Sequence, residues 1–222
     1  MTLRNGLLTL CLVLTGVLIP APASAQAPFG QPVAVGDARQ ILTVKSARPG
    51  SSYATLAGWV LRDGTWVRTF GPVQARVGEE GTTSRARDNY YATPKGTYPL
   101  RLAFGVKARP AGTGLPYRRV GPNDWWVSDA KSRHYNTWQV GPPRGRWNPA
   151  IGERLADYPT AYSYAVAIDY NRSPVRKGGG SAIFLHVGNG RATAGCVSVS
   201  TAQLLKLLAY LRPALRPRIA IL

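Results

Sequence analysis

The sequence predicts a mostly β domain of the β-rich α+β class, with one significant helix near its carboxyl end. Short runs of β-branched and aromatic residues recur along the chain. The 24 glycines and 18 prolines are scattered between these runs, as expected when turns join many short strands. An amphipathic helical pattern is clear only at residues 200–211. We therefore expect one β-rich domain over residues 39–222.

Seven segments before the helix have strand character, and one segment follows it. Asp63 and Gly64 stand between the second and third of these, and they suit the positive φ angles of a tight hairpin turn. Residues 78–89 are predicted as a polar loop. The last segment before the helix is apolar enough to be buried on both faces. The predicted strands are 40–44, 53–61, 65–70, 74–77, 98–104, 164–170, 182–187 and 218–222.

The helix is predicted from its cap and its apolar stripe. Ser200 followed by Gln203 forms a capping box. Leucines recur on one face as the helix continues, and Pro213 ends it. The leucines of the stripe stand at positions 204, 205, 207, 208 and 211.

The amino-terminal segment has the three parts of a secretory signal. Residues 1–6 carry one arginine and no acid, residues 7–20 are almost all apolar, and Ala23-Ser24-Ala25 provides small residues for cleavage. We predict a signal peptide over 1–25, which removes Cys11, and a flexible leader over 26–38. The protein is then expected in the periplasm or cell envelope, or outside the cell.

The charge balance is strongly basic and bears on partners. Lys and Arg number 28 against 10 Asp and Glu, a formal net charge of +18. Such a surface attracts polyanions. Because the basic residues are spread along an exported chain, we expect anionic wall polymers rather than nucleic acid, although basic charge that only keeps the protein soluble explains the balance equally well. We also expect no membrane span after the signal, and a monomer.

Cys196 is the single cysteine left after signal cleavage. Exported proteins usually pair their cysteines, so an unpaired one indicates an intermolecular bridge or a working thiol. The alternative is a buried, inert small hydrophobic residue. The residues around Cys196 bear on this choice.

His186 and Cys196 flank a Gly-rich turn. A histidine at a strand end and a cysteine beyond a short turn can face each other across a hairpin-like loop. An imidazole within hydrogen-bond reach converts a thiol to the thiolate nucleophile, and the nearby helix start would lower the thiol pKa further. The amides of Gly195 and Cys196 could hold a developing oxyanion. The pattern predicts a cysteine–histidine catalytic pair.

At these residues the chain resembles the L,D-transpeptidase (YkuD-like) catalytic domain family. The resemblance rests on the His186 segment, on Thr193-Ala194-Gly195-Cys196, and on Thr93-Pro94-Lys95-Gly96-Thr97-Tyr98, and it spans roughly residues 40–222. It implies an L,D-transpeptidase-like β-sandwich with one main helix after the cysteine.

The resemblance also implies roles for five residues. Cys196 matches the nucleophile and His186 the proton donor and acceptor. Val187 matches the residue whose carbonyl orients the imidazole, Gly195 the oxyanion-loop glycine, and Thr193 the Ser/Thr of the motif.

Three departures separate this chain from the family pattern. Ala194 replaces the usual second histidine, Ser198 stands where Arg or Asn is usual, and the loop from His186 to Cys196 is shorter. The first departure removes a partner of the thiol, and the second removes a substrate anchor. We interpret the chain as a divergent member that keeps the two essential groups.

The implied reaction is peptidoglycan cross-linking without a cofactor or metal. The thiolate would form an acyl-enzyme with a stem tetrapeptide, release D-alanine, and transfer the acyl group to an amine. With water as acceptor the protein would be an L,D-carboxypeptidase, and a non-catalytic wall-binding protein is a further alternative. His134 and the pair Trp125-Trp126 are candidates for substrate contact, with structural roles as the simpler interpretation.

Overall fold

The computed structural model describes residues 29–222, so the predicted signal peptide and Cys11 lie outside the described residues. The strands are β1 (Gln40–Ser46), β2 (Tyr53–Arg62), β3 (Thr65–Arg76), β4 (Thr82–Thr83), β5 (Thr93–Pro94), β6 (Gly96–Gly105), β7 (Tyr117–Arg119), β8 (Asp124–Trp126), β9 (Trp138–Val140), β10 (Glu153–Arg154), β11 (Ala165–Ile168), β12 (Phe184–Val187), β13 (Val197–Val199) and β14 (Arg218–Ile221). Helix α1 (Thr201–Tyr210) lies between β13 and β14, and short 3-10 helices occupy Leu155–Asp157, Ala161–Ser163 and Pro213–Leu215. The prediction of a mostly β fold with one main helix is confirmed.

The main sheet closes on itself. Its strands follow the order β11-β12-β13-β3-β2-β1-β14-β6-β7, and β11 also pairs with β6. Eight strands therefore form a ring. The ninth strand, β7, pairs with β6 but is not part of the ring. Three neighbouring pairs are parallel, namely β1–β14, β12–β13 and β6–β7. The apolar interior contains side chains from both sides of the ring and from α1, so the facing layers of the fold belong to one continuous sheet.

The β2–β3 hairpin follows the sequence prediction at its turn and departs from it at its length. Asp63 and Gly64 have φ angles of 48° and 77°, as a tight two-residue turn requires. The predicted strands 65–70 and 74–77 are one strand, β3. β3 is not interrupted between these segments. Its pairing with β2 is irregular there, because the register between the two strands shifts near Gly58.

Helix α1 begins and packs as predicted. The Ser200 hydroxyl accepts a hydrogen bond from the Gln203 amide at the amino end. Leu204, Leu207 and Leu208 are fully buried in the interior of the ring. Leu205 is only half-buried, because it lies at the edge of the apolar face. The helix ends at Tyr210, before Pro213, which starts a 3-10 helix.

A second apolar cluster lies between the main sheet and the small sheet β10-β8-β9. Its centre is Phe184 of β12, which meets Trp126 of β8 edge to face at 4.8 Å between ring centroids, and Tyr162 at 5.5 Å. Cys196 packs against this cluster. The small sheet is therefore fixed directly beside the residues that the sequence singled out.

The described part of the predicted leader makes tertiary contacts. Phe29 is buried and its ring meets Trp59 and Trp66 at centroid distances of 5.4 and 5.6 Å. No helix within residues 29–222 combines the length and the apolar character that a membrane crossing needs.

Candidate active site

The structure brings Cys196 and His186 to one cavity of about 410 Å³. His186 lies in β12, and Cys196 directly precedes β13, the parallel neighbour of β12 in which Val197 pairs with Leu185. The sequence predicted a hairpin-like loop between these two residues, and this prediction is wrong. The two strands run in the same direction, and the connecting residues 188–196 cross back to bring the cysteine beside β12.

The His186 ring is held by its own strand. Its Nδ1 lies 2.8 Å from the Val187 carbonyl oxygen, which only accepts hydrogen bonds. Nδ1 therefore carries the proton, and in the neutral ring Nε2 is the basic nitrogen. Burial lowers the pKa of His186 below its usual 6.5, although the bond to Val187 opposes this shift. A neutral imidazole with a defined tautomer is suited to accept a proton.

The Cys196 thiol is bonded to β12 and its approach. Its Sγ donates to the Ala182 carbonyl and accepts from the Phe184 amide, both at 3.3 Å. Burial raises the pKa of the thiol to about 12, the carboxylate of Glu153 adds to the rise, and the Phe184 amide opposes it. The sequence predicted a lowered pKa, and this prediction is wrong for the free protein. The strand β13 separates Cys196 from α1, and Sγ has backbone rather than imidazole partners.

Two threonines fix the loop that carries the cysteine. The Thr193 hydroxyl accepts from the Gly195 amide at 3.2 Å and donates to the Cys196 carbonyl at 2.6 Å. The Thr93 hydroxyl donates to the same carbonyl at 3.1 Å and accepts from the Gly78 amide. Gly195 has a φ of 135°, which side chains disfavour. The Gly195 amide, expected to face an oxyanion, thus already has an acceptor in Thr193.

Sequence reasoning missed two residues of the site. Glu153 of β10 lines the cavity, and its carboxylate accepts a hydrogen bond from the Tyr162 hydroxyl. Burial raises the pKa of Glu153 to about 7, and the bond from Tyr162 limits the rise. The Tyr162 ring meets His186 edge to face at 5.8 Å. No motif marks either residue, since Glu153 reaches the site from the small sheet and Tyr162 from the 3-10 helix Ala161–Ser163 that packs on β12.

The two substituted positions have different surroundings. Ala194 is exposed at the rim of the cavity. Ser198 is buried and pairs across the sheet with Arg76 of β3, whose guanidinium group stacks on the Tyr53 ring at 3.5 Å. The fold therefore places an arginine from another strand opposite the position where the family pattern has Arg or Asn.

The weaker candidates lie elsewhere. His134 packs against Trp147 at 6.2 Å and does not line the cavity of Cys196. Trp126 is 1% exposed, so it is a core residue rather than a sugar platform. Within residues 29–222 no three His, Cys, Asp or Glu side chains are grouped to ligate a metal.

The fold and the site together describe a β-rich domain whose closed sheet brings a cysteine thiol and an oriented imidazole to one cavity. The family model "L,D-transpeptidase catalytic domain" (YkuD) matches residues 54–218, and the chain belongs to this family.

Two solved structures resemble the chain at low identity. One is the helical cell shape determining protein Pgp2 from Campylobacter jejuni, with 14% identity and a TM-score of 0.42 over 83% of this chain and 48% of that one. The other is the Ldtfm-avibactam carbamoyl enzyme, with 8% identity and a TM-score of 0.33 over 84% of this chain and 49% of that one. The chain thus spans about half the length of each. No curated protein matches it.

Proposed function

We propose that this protein is a peptidoglycan L,D-transpeptidase in which Cys196 is the nucleophile and His186 the proton donor and acceptor. The observation that carries the proposal is the oriented imidazole. With Nδ1 bonded to Val187, the basic Nε2 is the nitrogen left for a proton transfer in the cavity that also contains the thiol. Membership of the L,D-transpeptidase family supports the same reaction class.

The first step starts from a neutral thiol and a neutral imidazole. The thiol leaves its hydrogen bond to the Ala182 carbonyl and transfers its proton to His186 Nε2. At the same time Sγ attacks the carbonyl of the third residue of a stem tetrapeptide. The Phe184 amide stabilises the charge that forms on sulfur. We assign the stabilisation of the oxyanion to the Cys196 amide, because the Gly195 amide already donates its hydrogen bond to the Thr193 hydroxyl. The imidazolium then protonates the nitrogen of the terminal D-alanine, which leaves, and a thioester remains.

In the second step an amine attacks the thioester. His186 takes a proton from the attacking nitrogen and returns it to Sγ, so the product is a cross-link and the enzyme is regenerated. Water in place of the amine gives a tripeptide, the L,D-carboxypeptidase outcome. Transfer to an amine is the proposed reaction because the chain belongs to the L,D-transpeptidase family.

The location and partners of the protein are proposals of the same kind. The signal-like residues 1–25 support export through the cytoplasmic membrane to the periplasm or cell envelope, or out of the cell. Its net charge of +18 suits retention by anionic wall polymers.

A purified disaccharide tetrapeptide tests the reaction directly. Mass spectrometry should show loss of D-alanine and a cross-linked dimer, and a Cys196→Ala variant should form neither product. Formation of tripeptide alone would assign the carboxypeptidase reaction. A folded wild-type protein that releases no D-alanine would leave the non-catalytic wall-binding alternative.

A further inference from the structure

Glu153 lies where two cavities meet. The cavity of Cys196 and His186 adjoins a second one of about 460 Å³. The residues that line both are Glu153, Ser181, Ile183 and Ala194. Glu153 thus belongs to the walls of both cavities, and its carboxylate contributes to the raised pKa of the Cys196 thiol.

The position of this carboxylate is fixed by packing. Glu153 pairs with Trp126 across the small sheet, and the Tyr162 hydroxyl donates to one of its two oxygens, Oε2. Tyr162 in turn packs against Phe184 and His186. Burial and the nearby Glu153 charge keep the pKa of Tyr162 well above its usual value, so its hydroxyl remains a donor. With Oε2 anchored, Oε1 is the oxygen left to interact with a ligand.

The second step of the proposed reaction needs a base besides His186. An aliphatic amine has a pKa of about 10.4 and arrives as an ammonium ion, which has no lone pair for attack. It must lose one proton before it attacks and a second one as the amide forms. His186 accepts only one of these, and it must return that proton to Sγ. The first proton therefore requires another acceptor near the thioester.

On the basis of the proposed function, we propose that Glu153 binds the ammonium group of the acceptor in the second cavity and takes its first proton. The free amine then attacks the thioester carbon and the C–S bond breaks. His186 transfers the second proton from nitrogen to sulfur, and the Glu153 carboxylic acid releases the first proton to solvent. The products are an amide, a thiol, a neutral imidazole and a regenerated carboxylate.

The charges around the two cavities agree with a cationic ligand. The second cavity has three acids, Glu153, Asp88 and Asp129, against Arg87 and Lys131, in a chain where bases far outnumber acids. The titratable and charged groups facing the catalytic cavity are Glu153, Tyr158, Tyr162, His186, Arg191 and Cys196. Because burial raises the pKa of Glu153 to about 7, the group accepts a proton and releases it again near neutrality.

The ratio of dimer to tripeptide tests this role, because both products come from one acyl-enzyme. The substrate is a disaccharide tetrapeptide whose third residue carries a side-chain amine. In Glu153→Gln we expect the dimer-to-tripeptide ratio to fall about 100-fold, as general-base catalysis implies, whatever the change in the rate of D-alanine release. Glu153→Asp should restore part of the ratio. A loss of folding would reduce both products together and leave the ratio unchanged.

Matched variants separate this inference from the proposed function. Glu80→Gln removes an exposed carboxylate outside both cavities and should keep the wild-type ratio. In the wild type the ratio should rise with pH through about 7 and this inflection should be absent in Glu153→Gln. An unchanged ratio in a folded Glu153→Gln protein that still releases D-alanine, or a wild type that releases D-alanine but never forms an amide, would overturn the inference and leave acylation by Cys196 intact. Failure of D-alanine release would instead refute the proposed function.

Discussion

At the scale of single residues, burial acts on Cys196 and His186 in the same sense, since it disfavours the charged form of each. The thiol pKa rises to about 12 and the imidazole pKa falls below 6.5. The free protein therefore has a neutral pair rather than a preformed thiolate–imidazolium pair. Charge develops only as Sγ attacks, when His186 takes the proton.

Alkylation of Cys196 follows from this neutral pair. Only the thiolate reacts with iodoacetamide, and a thiol with a pKa of about 12 is almost entirely protonated at pH 7. We expect the alkylation rate to rise throughout pH 7–9 without a plateau, as measured by mass spectrometry of the peptide that contains Cys196. A plateau near pH 7 would show that a preformed thiolate exists.

The sequence identified Cys196 and His186 as candidates because their residue types and spacing are informative. Glu153 and Tyr162 could not be found in this way, because they stand 43 and 34 residues before Cys196 and no motif contains them. Their approach depends on how the small sheet and the 3-10 helix Ala161–Ser163 pack around Phe184. The pKa of Cys196 was predicted in the wrong direction for a similar reason, since burial is a property of the folded chain.

At the scale of elements, the short strand β5 connects the segment after β3 to the cysteine loop. Its Thr93 is fully buried, and its hydroxyl joins the Gly78 amide to the Cys196 carbonyl. The resemblance included Thr93 among its matching residues without assigning it a role. The structure shows that this residue ties the end of β3 to the cysteine loop.

Thr93→Val tests this connection. The substitution leaves the Gly78 amide without its acceptor in a buried position, and we expect the free energy of unfolding to fall by about 1–3 kcal/mol, measured by urea titration. The rate of D-alanine release should also fall because the cysteine loop loses one of two hydroxyl anchors. Thr82→Val is the matched control, since Thr82 pairs with Thr93 in the β4–β5 ladder and its hydroxyl donates to the Leu222 carbonyl, away from the cysteine loop. Equal effects of the two substitutions would contradict the assigned role.

The longer strands of the main sheet were predictable from the sequence, while strand partners and the short strands were not. The strands missed are β4, β5, β7, β8, β9, β10 and β13, and β4 lies within the predicted polar loop 78–89. The hairpin turn at Asp63-Gly64 and the cap at Ser200 are local features, and each was placed correctly. The parallel pairing of β12 with β13 was missed, because β13 is only three residues long and a turn rich in glycine after a strand also fits a hairpin. Pairing direction depends on contacts between distant segments, which local patterns do not contain.

At the scale of the whole molecule, Glu153 links the site to stability. Its pKa is raised from 4.5 to about 7, so the folded state disfavours its charged form. This destabilisation is absent below pH 4.5, grows as the pH rises from 4.5 to 7, and is constant above that. A buried carboxylate that lowers the stability of the folded state is better explained by a functional role than by a structural one.

Glu153→Gln should therefore stabilise the protein at high pH. Glutamine can still accept from Tyr162 but carries no charge, so the gain over the wild type should be near zero at pH 4.5 and reach up to about 3 kcal/mol at pH 8. Thermal or urea unfolding at both pH values measures the difference, with Glu80→Gln as the exposed control. A gain independent of pH would show that the carboxylate is not the cause.

The sequence by itself determined the mostly β class, the helix and its cap, and the cysteine and histidine of the candidate site. These depend on residue type and short-range periodicity, which are present in the unfolded chain. The tertiary structure decided the closure of the sheet through β11 and β6, the parallel run of β12 and β13, and the place of Glu153 and Tyr162 beside Cys196. These depend on which distant surfaces bury one another, and burial also sets the pKa values on which the proposed chemistry rests.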